Sequence, residues 1–304
     1  MAPAAGAVSL NRSCFVLGPH RSGTTIVCNA LAASGAFVCL TAADIVAFQA
    51  RSAGSGTAGH GGSDARSTLA GLARRGETRK IDAVPVSEDL PEEYGFLLPG
   101  RRLTPETAPV LASVHRDIAG ADAPGARHLL RNPWDLARAP MILELFPGAS
   151  FVFVVRDPIE TIDSQLQATR ALFAEPSDYH ALLDPSYRRM LRRPLRFALY
   201  RFLTGRARMA DTLTRSFARS TARWLGSLER LPPERWLVTR YEDLVADPTK
   251  ELGRMYAFLG LSPERIPAIA REIRPGTRTL HRDVVARIGK IRRRTRRFGE
   301  RFGY

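Results

Sequence analysis

One glycine-bearing turn has the residues and spacing to bind an anion. The chain reads Gly18-Pro-His-Arg-Ser-Gly-Thr-Thr25 between an apolar run and a helix-forming segment. Glycines in such a turn let backbone N–H groups converge on one anion, and the N-terminus of the next helix adds a favourable dipole. The chemistry indicated is phosphate binding, with an arginine as the cation. The residues expected to form this site are His20, Arg21, Ser22, Gly23, Thr24 and Thr25.

The spacing Gly18-x4-Gly23 is also that of an ATP-binding P-loop. A P-loop continues with Lys-Ser/Thr, and here Thr24-Thr25 stands in that place. Arg21 supplies a cation three positions before Thr24 instead. Because no lysine can reach the terminal phosphates, hydrolysis of ATP or GTP is not expected. A P-loop nucleotide or small-molecule kinase is the alternative enzyme class.

A second candidate anion site follows the strongest strand signal. Phe151-Val-Phe-Val-Val155 leads into Arg156-Asp-Pro, and Ser164 comes eight residues after Arg156. A strand-tip arginine and a serine on the next helix can hold one phosphate at the carboxyl edge of a sheet, because a planar guanidinium matches phosphate oxygens. The alternative is an ion pair of Arg156 with Asp157 or Asp163.

These two blocks resemble the anion-binding loops of sulfotransferases that use 3′-phosphoadenosine 5′-phosphosulfate, in the bacterial and carbohydrate-type branch. The resemblance implies that the first loop cradles the 5′-phosphate of this donor and that Arg21 neutralises charge on the leaving phosphate. It also implies that Arg156 and Ser164 bind the 3′-phosphate. The expected product is 3′,5′-adenosine bisphosphate.

Three further blocks are similar to the family's and stand in the expected order, and the last of them, Lys250 to Leu261, resembles the family's helix that follows the Tyr-Glu-Asp-Leu block. Leu130-Arg-Asn-Pro133 resembles the family's Lys-x-Pro element, with Arg131 in place of the lysine. Thr239-Arg-Tyr-Glu-Asp-Leu-Val245 resembles its Tyr-Glu-Asp-Leu block, which implies that Tyr241 contacts the adenine side of the donor. The similar blocks span about residues 13–262, which is most of the chain.

The resemblance implies in-line transfer of a sulfuryl group, without a metal, to a hydroxyl or amine of a small-molecule, sugar or lipid acceptor. A base must take the acceptor's proton, and Asp89-Leu-Pro-Glu-Glu-Tyr-Gly-Phe-Leu98 resembles the acidic element of the branch that uses a glutamate base. Adjacent carboxyls raise one another's pKa. Glu93 is the first choice and Glu92 the second; a solvated first helical turn is the alternative. The expected catalytic residues are Arg21, Glu93, Glu92 and Arg131.

Strands that alternate with helices predict an α/β fold, with a P-loop-like three-layer architecture and a central, mostly parallel sheet flanked by helices. The expected strands are 14–18, 128–131, 151–155 and 236–240. The expected helices are 24–33, 104–118, 136–146, 161–173, 187–230, 249–259 and 263–272. One domain is expected over 1–304, with a loose leader (1–12), a mobile loop (51–64) and a basic C-terminal segment (281–304).

Composition narrows the function classes. The 304 residues are 44% hydrophobic and 25% charged, as in ordinary soluble globular proteins. No apolar run approaches the roughly 18 residues of a membrane span, and no secretory signal is visible. Three cysteines, Cys14, Cys28 and Cys39, lack metal-ligand spacing, which indicates a reducing compartment. A cytoplasmic location and no metal are expected.

The chain is strongly basic: 45 Lys+Arg against 30 Asp+Glu give a net charge of +15. Such a surface attracts anions, but no specific nucleic-acid partner is expected. Residues 187–208 form a basic amphipathic pattern that Pro194 divides or kinks. Contact with an anionic membrane or a lipidic acceptor is one reading of this pattern; a core-facing stripe with solvated arginines is favoured. Residues 290–297 are expected either to close over the 3′-phosphate or to form a frayed tail. The sequence leaves open whether the chain forms a homodimer.

Overall fold

Short apolar segments form a five-stranded sheet. The strands are β1 (Cys14–Leu17), β2 (Val38–Cys39), β3 (His128–Arg131), β4 (Ser150–Val155) and β5 (Trp236–Arg240). In the computed structural model they pair in the order β2-β3-β1-β4-β5, and each pair is parallel. The structure describes residues 10–52, 61–82, 84–120, 126–274, 276 and 279–304. The α/β prediction with a parallel sheet is confirmed.

Helices cover both faces of the sheet. The α-helices of the described residues are α1 (Thr24–Ala32), α2 (Ala42–Ser52), α3 (Gly61–Arg74), α4 (Ala108–Ala119), α5 (Ala139–Leu145), α6 (Pro158–Ala174), α7 (Asp178–Leu183), α8 (Pro185–Leu191), α9 (Pro194–Gly205), α10 (Arg208–Leu228), α11 (Tyr241–Ala246), α12 (Pro248–Leu259), α13 (Ile266–Glu272), α14 (Arg282–Val285) and α15 (Ile288–Phe302). Short 3₁₀ turns lie at Leu10–Arg12, Tyr94–Leu97, Pro99–Arg101, Pro133–Arg138, Pro233–Arg235 and Pro263–Arg265. Among the described residues, no helix is both long and apolar enough to cross a membrane.

The two-residue period of a strand divides the core between the faces. On β1, Cys14 and Val16 join a cluster with residues of α1, α12 and α13. Phe15 and Leu17 point the other way, into a larger cluster with residues of α6, α10 and α15. Strands β1 and β4 are therefore buried on both sides, which explains why they are continuous apolar runs.

The loose leader predicted at 1–12 is wrong for the part that the structure describes. Residues Leu10–Arg12 form a 3₁₀ turn, and Leu10 is completely buried in the larger cluster. The buried side chain anchors the entry to β1. The backbone is held there as well, since Ser13 N–H donates to the carbonyl of Leu10 at 3.0 Å. Residues 1–9 lie outside the described residues.

The mobile loop predicted at 51–64 is wrong at both ends. Helix α2 continues to Ser52 and α3 begins at Gly61; residues 53–60 lie outside the described residues. The Gly/Ser/Ala composition obscured a short apolar face, because α3 buries Leu69 and Leu72. Small residues form a helix here since tertiary packing outweighs weak helix propensity.

The helix predicted over 187–230 is three helices, α8, α9 and α10. Pro194 divides them by starting α9, where its missing N–H costs nothing. The helix predicted at 104–118 begins later, at Ala108, because Thr104 and Thr107 form a hydrogen-bonded turn. The helix predicted at 136–146 starts as a 3₁₀ turn, Pro133–Arg138, before α5.

The basic segment 187–208 differs from its favoured interpretation, and one of the two alternatives for 290–297 is excluded. Leu195, Leu199 and Phe202 of α9 are exposed, so a core-facing stripe is wrong for this helix; Leu195 alone is 87% exposed. Residues 290–297 are not a frayed tail, because they belong to α15. That helix packs Phe298 against Phe217 and Trp224 of α10, and Lys290 pairs with Asp211 at 2.6 Å.

Candidate active site

The loop between β1 and α1, residues 18–23 (the β1–α1 loop), requires its glycines. A Cβ at Gly18 would lie 2.5 Å from both the Ser22 hydroxyl and the Val154 carbonyl oxygen. Gly23 has a φ of +101°, which favours glycine. Arg21 has a φ of +69°, an uncommon conformation for a residue with a Cβ. The backbone is thus held in a tight turn that projects Arg21 outward from the sheet edge.

The N-terminus of α1 suits an anion. Gly23 is its N-cap, and no side chain caps it. Uncapped N–H groups and the helix dipole favour negative charge at this end. The Ser22 hydroxyl is buried and has no hydrogen-bond partner among the described residues. Thr24 is buried and Thr25 is partly exposed. A phosphate would satisfy these donors.

Arg21 lies between two helices and a loop. Its Nε donates to the Ser164 hydroxyl of α6 at 3.2 Å, and its Nη1 lies 3.3 Å from an Asp82 carboxylate oxygen. The sequence places Ser164 with Arg156 around one phosphate. The structure instead brings Ser164 into direct contact with Arg21, so an anion held by Ser164 would also lie close to the β1–α1 loop.

Arg156 is held flat against a tyrosine. Its guanidinium carbon lies 4.4 Å from the centre of the Tyr241 ring and its Nη2 lies 3.1 Å from Glu160. The Tyr241 ring in turn packs on Gly23, where a Cβ would come within 2.6 Å of it. The Tyr241 ring therefore contacts both Gly23 and Arg156. The buried Nε of Arg156 has no partner among the described residues.

The suggested pairing of Arg156 with Asp157 or Asp163 is wrong. Asp157 caps α6 by accepting from the N–H groups of Ile159 and Glu160. Asp163 accepts from the His281 N–H at 2.7 Å. The carboxylate beside Arg156 is Glu160.

Both anion sites lie where the topology of the sheet reverses. The β1–α1 loop follows β1, and Arg156 follows β4; these strands are neighbours. From β1 the chain moves toward β2 on one side, and from β4 toward β5 on the other. Parallel sheets bind ligands at the carboxyl ends of strands at such a switch point. Three neighbouring strands, β1, β4 and β5, thus bring Arg21, Arg156 and Tyr241 to one edge, and Ser164 lies on α6 after β4.

Glu92 is completely engaged by buried partners. Its Oε1 accepts from Arg79 at 2.9 Å and from the Tyr179 hydroxyl at 2.7 Å, while its Oε2 lies 3.4 Å from Arg131. The alternative of a solvated first helical turn is wrong for Glu92, which is 6% exposed. Because both oxygens are occupied, Glu92 is poorly placed to accept a proton from a substrate.

Arg131 is buried between the β1–α1 loop and the acidic segment. One of its guanidinium nitrogens donates to the hydroxyl of Thr25, and the other donates to the Pro91 carbonyl at 3.0 Å and to Glu92. Its 2% exposure keeps it away from bulk solvent. The geometry therefore makes Arg131 a positioning residue for Thr25.

These contacts form one connected set, which we call the Arg79 network. Arg79 also binds Asp82, at 3.1 Å and 2.7 Å, and Asp82 contacts Arg21. The Arg79 network consists of Arg21, Asp82, Arg79, Glu92, Arg131 and Thr25. It holds the β1–α1 loop at Arg21 and the first turn of α1 at Thr25. The sequence motifs did not indicate Arg79, Asp82 or Tyr179, since no periodicity or motif marks them.

Glu93 has a different environment from Glu92. Its side chain is partly exposed and lines a cavity of about 730 Å³. Among the described residues, no donor binds its carboxylate. Burial raises the pKa of Glu93; Arg131 opposes the rise and Glu92 adds to it. A carboxyl with a raised pKa, facing a cavity, is suited to accept a proton near neutral pH.

His20 joins this cavity to the β1–α1 loop. It lines the 730 Å³ cavity together with Glu93, and a smaller cavity of about 320 Å³ together with Arg21. Its ring lies edge-on to Trp134, with centroids 4.5 Å apart. Burial, with Arg101 and Arg21 nearby, lowers the pKa of His20 to about 4. His20 is therefore neutral at physiological pH and shapes the wall between the two spaces.

Metal ligands are not grouped in the part of the chain that the structure describes. No set of three or more His, Cys, Asp or Glu side chains there could hold a metal ion. His115 and His128 face each other with their Nδ1 atoms 3.1 Å apart, and His180 pairs with Ser177 at 2.9 Å. All three of these histidines are buried, and His180 also lines the 730 Å³ cavity.

Comparison with known proteins gives a family match over most of the chain. A family model described as "Sulfotransferase family" matches residues 14–265. Two curated relatives, each named Omega-hydroxy-beta-dihydromenaquinone-9 sulfotransferase Stf3, come from Mycobacterium bovis and Mycobacterium tuberculosis and are 30% identical over 133 residues. That match covers 44% of this chain and only 28% of each relative.

Two solved structures share the fold. Sulfotransferase STF9 from Mycobacterium avium has a TM-score of 0.61 and 18% identity, over 99% of this chain and 78% of that one. Sulfotransferase STF1 from Mycobacterium tuberculosis has a TM-score of 0.59 and 15% identity, over 94% of this chain and 77% of that one. At these identities the likeness shows the architecture alone.

Proposed function

The chain belongs to the sulfotransferase family, and on this premise we propose that it transfers a sulfuryl group from 3′-phosphoadenosine 5′-phosphosulfate to an acceptor hydroxyl. The observation that carries the choice of donor is the pair of arginine sites at one sheet edge, one in the β1–α1 loop and one at the end of β4. A donor with two anionic groups on one nucleoside suits two such sites.

The 5′ end of the donor is assigned to the β1–α1 loop. Backbone N–H groups at the start of α1 and the hydroxyls of Ser22, Thr24 and Thr25 bind the phosphate. A Thr25 hydroxyl that accepts a hydrogen bond from Arg131 keeps its own proton to donate. Arg21 stabilises the charge that develops on the phosphate as the sulfuryl group leaves.

The 3′-phosphate is assigned to Arg156, with Ser164 nearby, and the adenine side to Tyr241. The Nε of Arg156, which has no partner among the described residues, supports this assignment, as does the contact with Tyr241, which holds the guanidinium group at this edge. Glu160 already accepts from Nη2 of Arg156, so the phosphate displaces Glu160 or binds the remaining N–H groups. The C-terminal Tyr304 hydroxyl donates to Glu242 at 2.7 Å and steadies the residue next to Tyr241.

The acceptor's proton is assigned to Glu93. The acceptor oxygen forms a bond to sulfur as the bond between sulfur and the 5′-phosphate oxygen breaks, and the hydroxyl proton passes to the Glu93 carboxylate. The products are a sulfate ester and 3′,5′-adenosine bisphosphate. Positioning and electrostatics supply most of the rate in such a transfer. A hydroxyl acceptor also agrees with the name of the curated relatives, which specifies a hydroxylated dihydromenaquinone.

Equilibrium titration tests the donor. At physiological salt we expect the native protein to bind 3′,5′-adenosine bisphosphate more tightly than AMP or ATP–Mg²⁺. Arg156→Ala should reduce the preference for 3′,5′-adenosine bisphosphate over AMP at least tenfold, because the proposed contact between the guanidinium group and the 3′-phosphate is lost. Arg21→Ala should abolish turnover while bisphosphate binding persists. Arg296→Ala, at a 76% exposed side chain on α15, is the matched control and should change neither.

The proposed donor is wrong if the native protein prefers ATP–Mg²⁺, which is the behaviour of the P-loop kinase alternative. Retention of most turnover in Arg21→Ala would remove Arg21 from the mechanism. Equal loss of AMP and bisphosphate binding in Arg156→Ala would show that Arg156 does not recognise the 3′-phosphate.

A further inference from the structure

Helix α9 has an apolar face that the described part of the chain leaves uncovered. Leu195 is 87% exposed, Phe202 59%, Leu199 52% and Leu203 47%. Residues three, four and eight apart lie on one side of a helix, and these four share such a side. We call them the α9 stripe. Contiguous exposed apolar surface of this kind marks an interaction site.

The opposite side of α9 is anchored in the molecule. The rings of Phe197 and Tyr200 pack on Phe173 of α6, with centroids 5.9 Å and 5.5 Å apart. Thr204 is buried, and its carbonyl accepts from Arg170 of α6 at 3.1 Å. The helix is thus fixed in orientation by its inner side, and this orientation presents the α9 stripe to solvent.

The surroundings of the stripe are entirely basic. Residues 185–210 contain eight arginines and no acidic residue. All eight are exposed, and among the described residues none of them forms a salt bridge with a carboxylate. They are Arg188, Arg189, Arg192, Arg193, Arg196, Arg201, Arg206 and Arg208. An exposed apolar stripe within unpaired positive charge matches an anionic lipid surface, where apolar side chains enter and arginines contact headgroups.

Helices α8 and α9 also border the candidate acceptor cavity. Arg189, Arg193, Arg196 and Tyr200 of the α8–α9 segment line the 730 Å³ cavity that Glu93 also lines. Further inside, aromatic and aliphatic side chains dominate the walls, among them Phe96, Trp134, Phe173 and Leu183. One continuous space therefore leads from the arginines of α8 and α9 to Glu93, the proposed base.

We propose that α8 and α9 dock on an anionic lipid bilayer, and that the acceptor is a hydroxylated lipid that enters the cavity from this bilayer. The choice of acceptor rests on the proposed sulfuryl transfer; the docking does not. Charge complementarity selects the bilayer as the occupant, since a second copy of this chain would bring eight further arginines against the first eight.

Vesicle binding tests the docking. The native protein should sediment with vesicles of equimolar phosphatidylglycerol and phosphatidylcholine, and not with pure phosphatidylcholine. The double variant Leu195→Ser/Leu199→Ser should bind at least tenfold more weakly, because both side chains leave the stripe. Both are exposed and neither lines the cavity, so binding of 3′,5′-adenosine bisphosphate should be unchanged. Val285→Ser, at a 51% exposed apolar residue on α14, is the matched control.

A charge-reversal pair separates the electrostatic contribution. Arg192→Glu/Arg201→Glu should weaken binding to the anionic vesicles by tenfold or more, because each arginine near such a surface is worth about fivefold. Arg292→Glu/Arg296→Glu makes the same change in net charge on exposed positions of α15 and should have little effect. If both double variants lose vesicle binding equally, the protein is attracted to the vesicles by its overall charge alone. That result would contradict a specific docking face.

Three results would overturn the docking: no binding of the native protein to anionic vesicles, unchanged binding of the Leu195→Ser/Leu199→Ser variant, or a native dimer in solution that this variant converts to a monomer. The acceptor is tested separately, with a hydroxylated long-chain lipid in the same vesicles and labelled donor. If the variants that bind vesicles more weakly also sulfate the lipid more slowly, the result supports the lipid acceptor. Binding without any sulfation of lipid, in a protein that sulfates a water-soluble alcohol, would overturn the acceptor and leave the docking and the sulfuryl transfer standing.

Discussion

Two adjacent glutamates, Glu92 and Glu93, have opposite environments although they share one loop. Glu92 is surrounded by the guanidinium groups of Arg79 and Arg131 and by the Tyr179 hydroxyl. Glu93 faces the 730 Å³ cavity, and its carboxylate has no partner among the described residues. Neighbouring carboxyls with different surroundings acquire different chemical roles. The first holds the loop in place, and the second is left to react.

Replacing Glu93 by glutamine should lower turnover but raise the melting temperature at pH 8. We expect Glu93→Gln to lose at least about 100-fold in turnover, because the proposed base is removed. A carboxyl whose pKa burial raises stabilises the fold at low pH and loses this contribution as pH rises through that pKa. Glu93→Gln should therefore melt at a higher temperature than the native protein at pH 8, but not at pH 4.

The native pH profile provides the check. Turnover should fall on the acid side at a pH above the usual glutamate range, which lies near 4.3. Glu229→Gln, at an exposed position of the same type, should match the native protein in rate and melting temperature. Normal turnover in Glu93→Gln would exclude Glu93 as the base.

Arg79 should be the most sensitive position of the Arg79 network. Arg79→Met leaves Glu92 and Asp82 buried with one cation fewer, and loss of one partner of a buried ion pair costs about 3–5 kcal/mol of unfolding free energy. Arg75→Met is the control, since its pair with Asp178 at 3.6 Å is solvent-exposed and is worth less than about 1 kcal/mol. Urea unfolding at pH 7 measures both; similar costs would mean that the Arg79 network does not support the fold.

How the acidic motif was predicted shows the limit of sequence reasoning at the residue scale. The motif ranks Glu93 before Glu92 as the expected base, but it could not indicate how differently the two side chains are surrounded. Their surroundings depend on partners that lie far along the chain: Arg79 is 13 residues from Glu92, and Tyr179 is 87 residues away. Contacts of this kind follow from the fold and leave no local pattern.

At the scale of elements, predictability follows the strength of the apolar pattern. Strands β1, β3, β4 and β5 were predicted within one residue, and the central strands β1 and β4 carry the strongest signal because they are continuous apolar runs. The two-residue strand β2 and the helices α2 and α3 were missed, since a short edge strand and a helix of small residues carry weak patterns. The strands that lead to the two candidate anion sites were therefore predictable, whereas the walls of the 730 Å³ cavity were not.

Helix α15 ties residues 288–304 to the sheet edge at which we propose that the nucleotide binds. Phe298 is 1% exposed and packs on Phe217, Trp224 and Phe302. Phe298→Ala should lower the unfolding free energy by about 3–5 kcal/mol, as expected for a buried aromatic side chain. It should also weaken binding of 3′,5′-adenosine bisphosphate, because Tyr304 loses its stacked neighbour.

Chemical denaturation and nucleotide titration measure these two effects. Val285→Ala, at a half-exposed residue of α14, is the control and should cost less than about 1 kcal/mol. A loss of less than about 1 kcal/mol in Phe298→Ala would show that α15 packs only loosely on α10.

At the scale of the whole molecule, buried neutral histidines set the acid stability. Burial lowers the pKa of His20 and His180 to about 4 and that of His115 to about 3. An unfolded histidine has a pKa near 6.5, so between these values the unfolded chain binds more protons than the folded one. Stability is complete above pH 6.5 and should fall as pH decreases from 6.5 toward 4.

Urea unfolding at a series of pH values between 7 and 4 measures this fall. His115→Gln should flatten the curve by about 1 kcal/mol or more over this range. A curve that is as steep in His115→Gln as in the native protein would assign the acid sensitivity to other groups.

The position of Trp134 gives the cavity an intrinsic optical reporter. Of the chain's three tryptophans, Trp224 is completely buried and Trp236 packs on Phe153, whereas Trp134 lines the 730 Å³ cavity beside His20. An acceptor that enters this space changes the polarity around one indole, and Trp134→Phe identifies the part of the emission that responds. Unlabelled compound libraries can thus be screened for acceptors by fluorescence before any turnover assay is available.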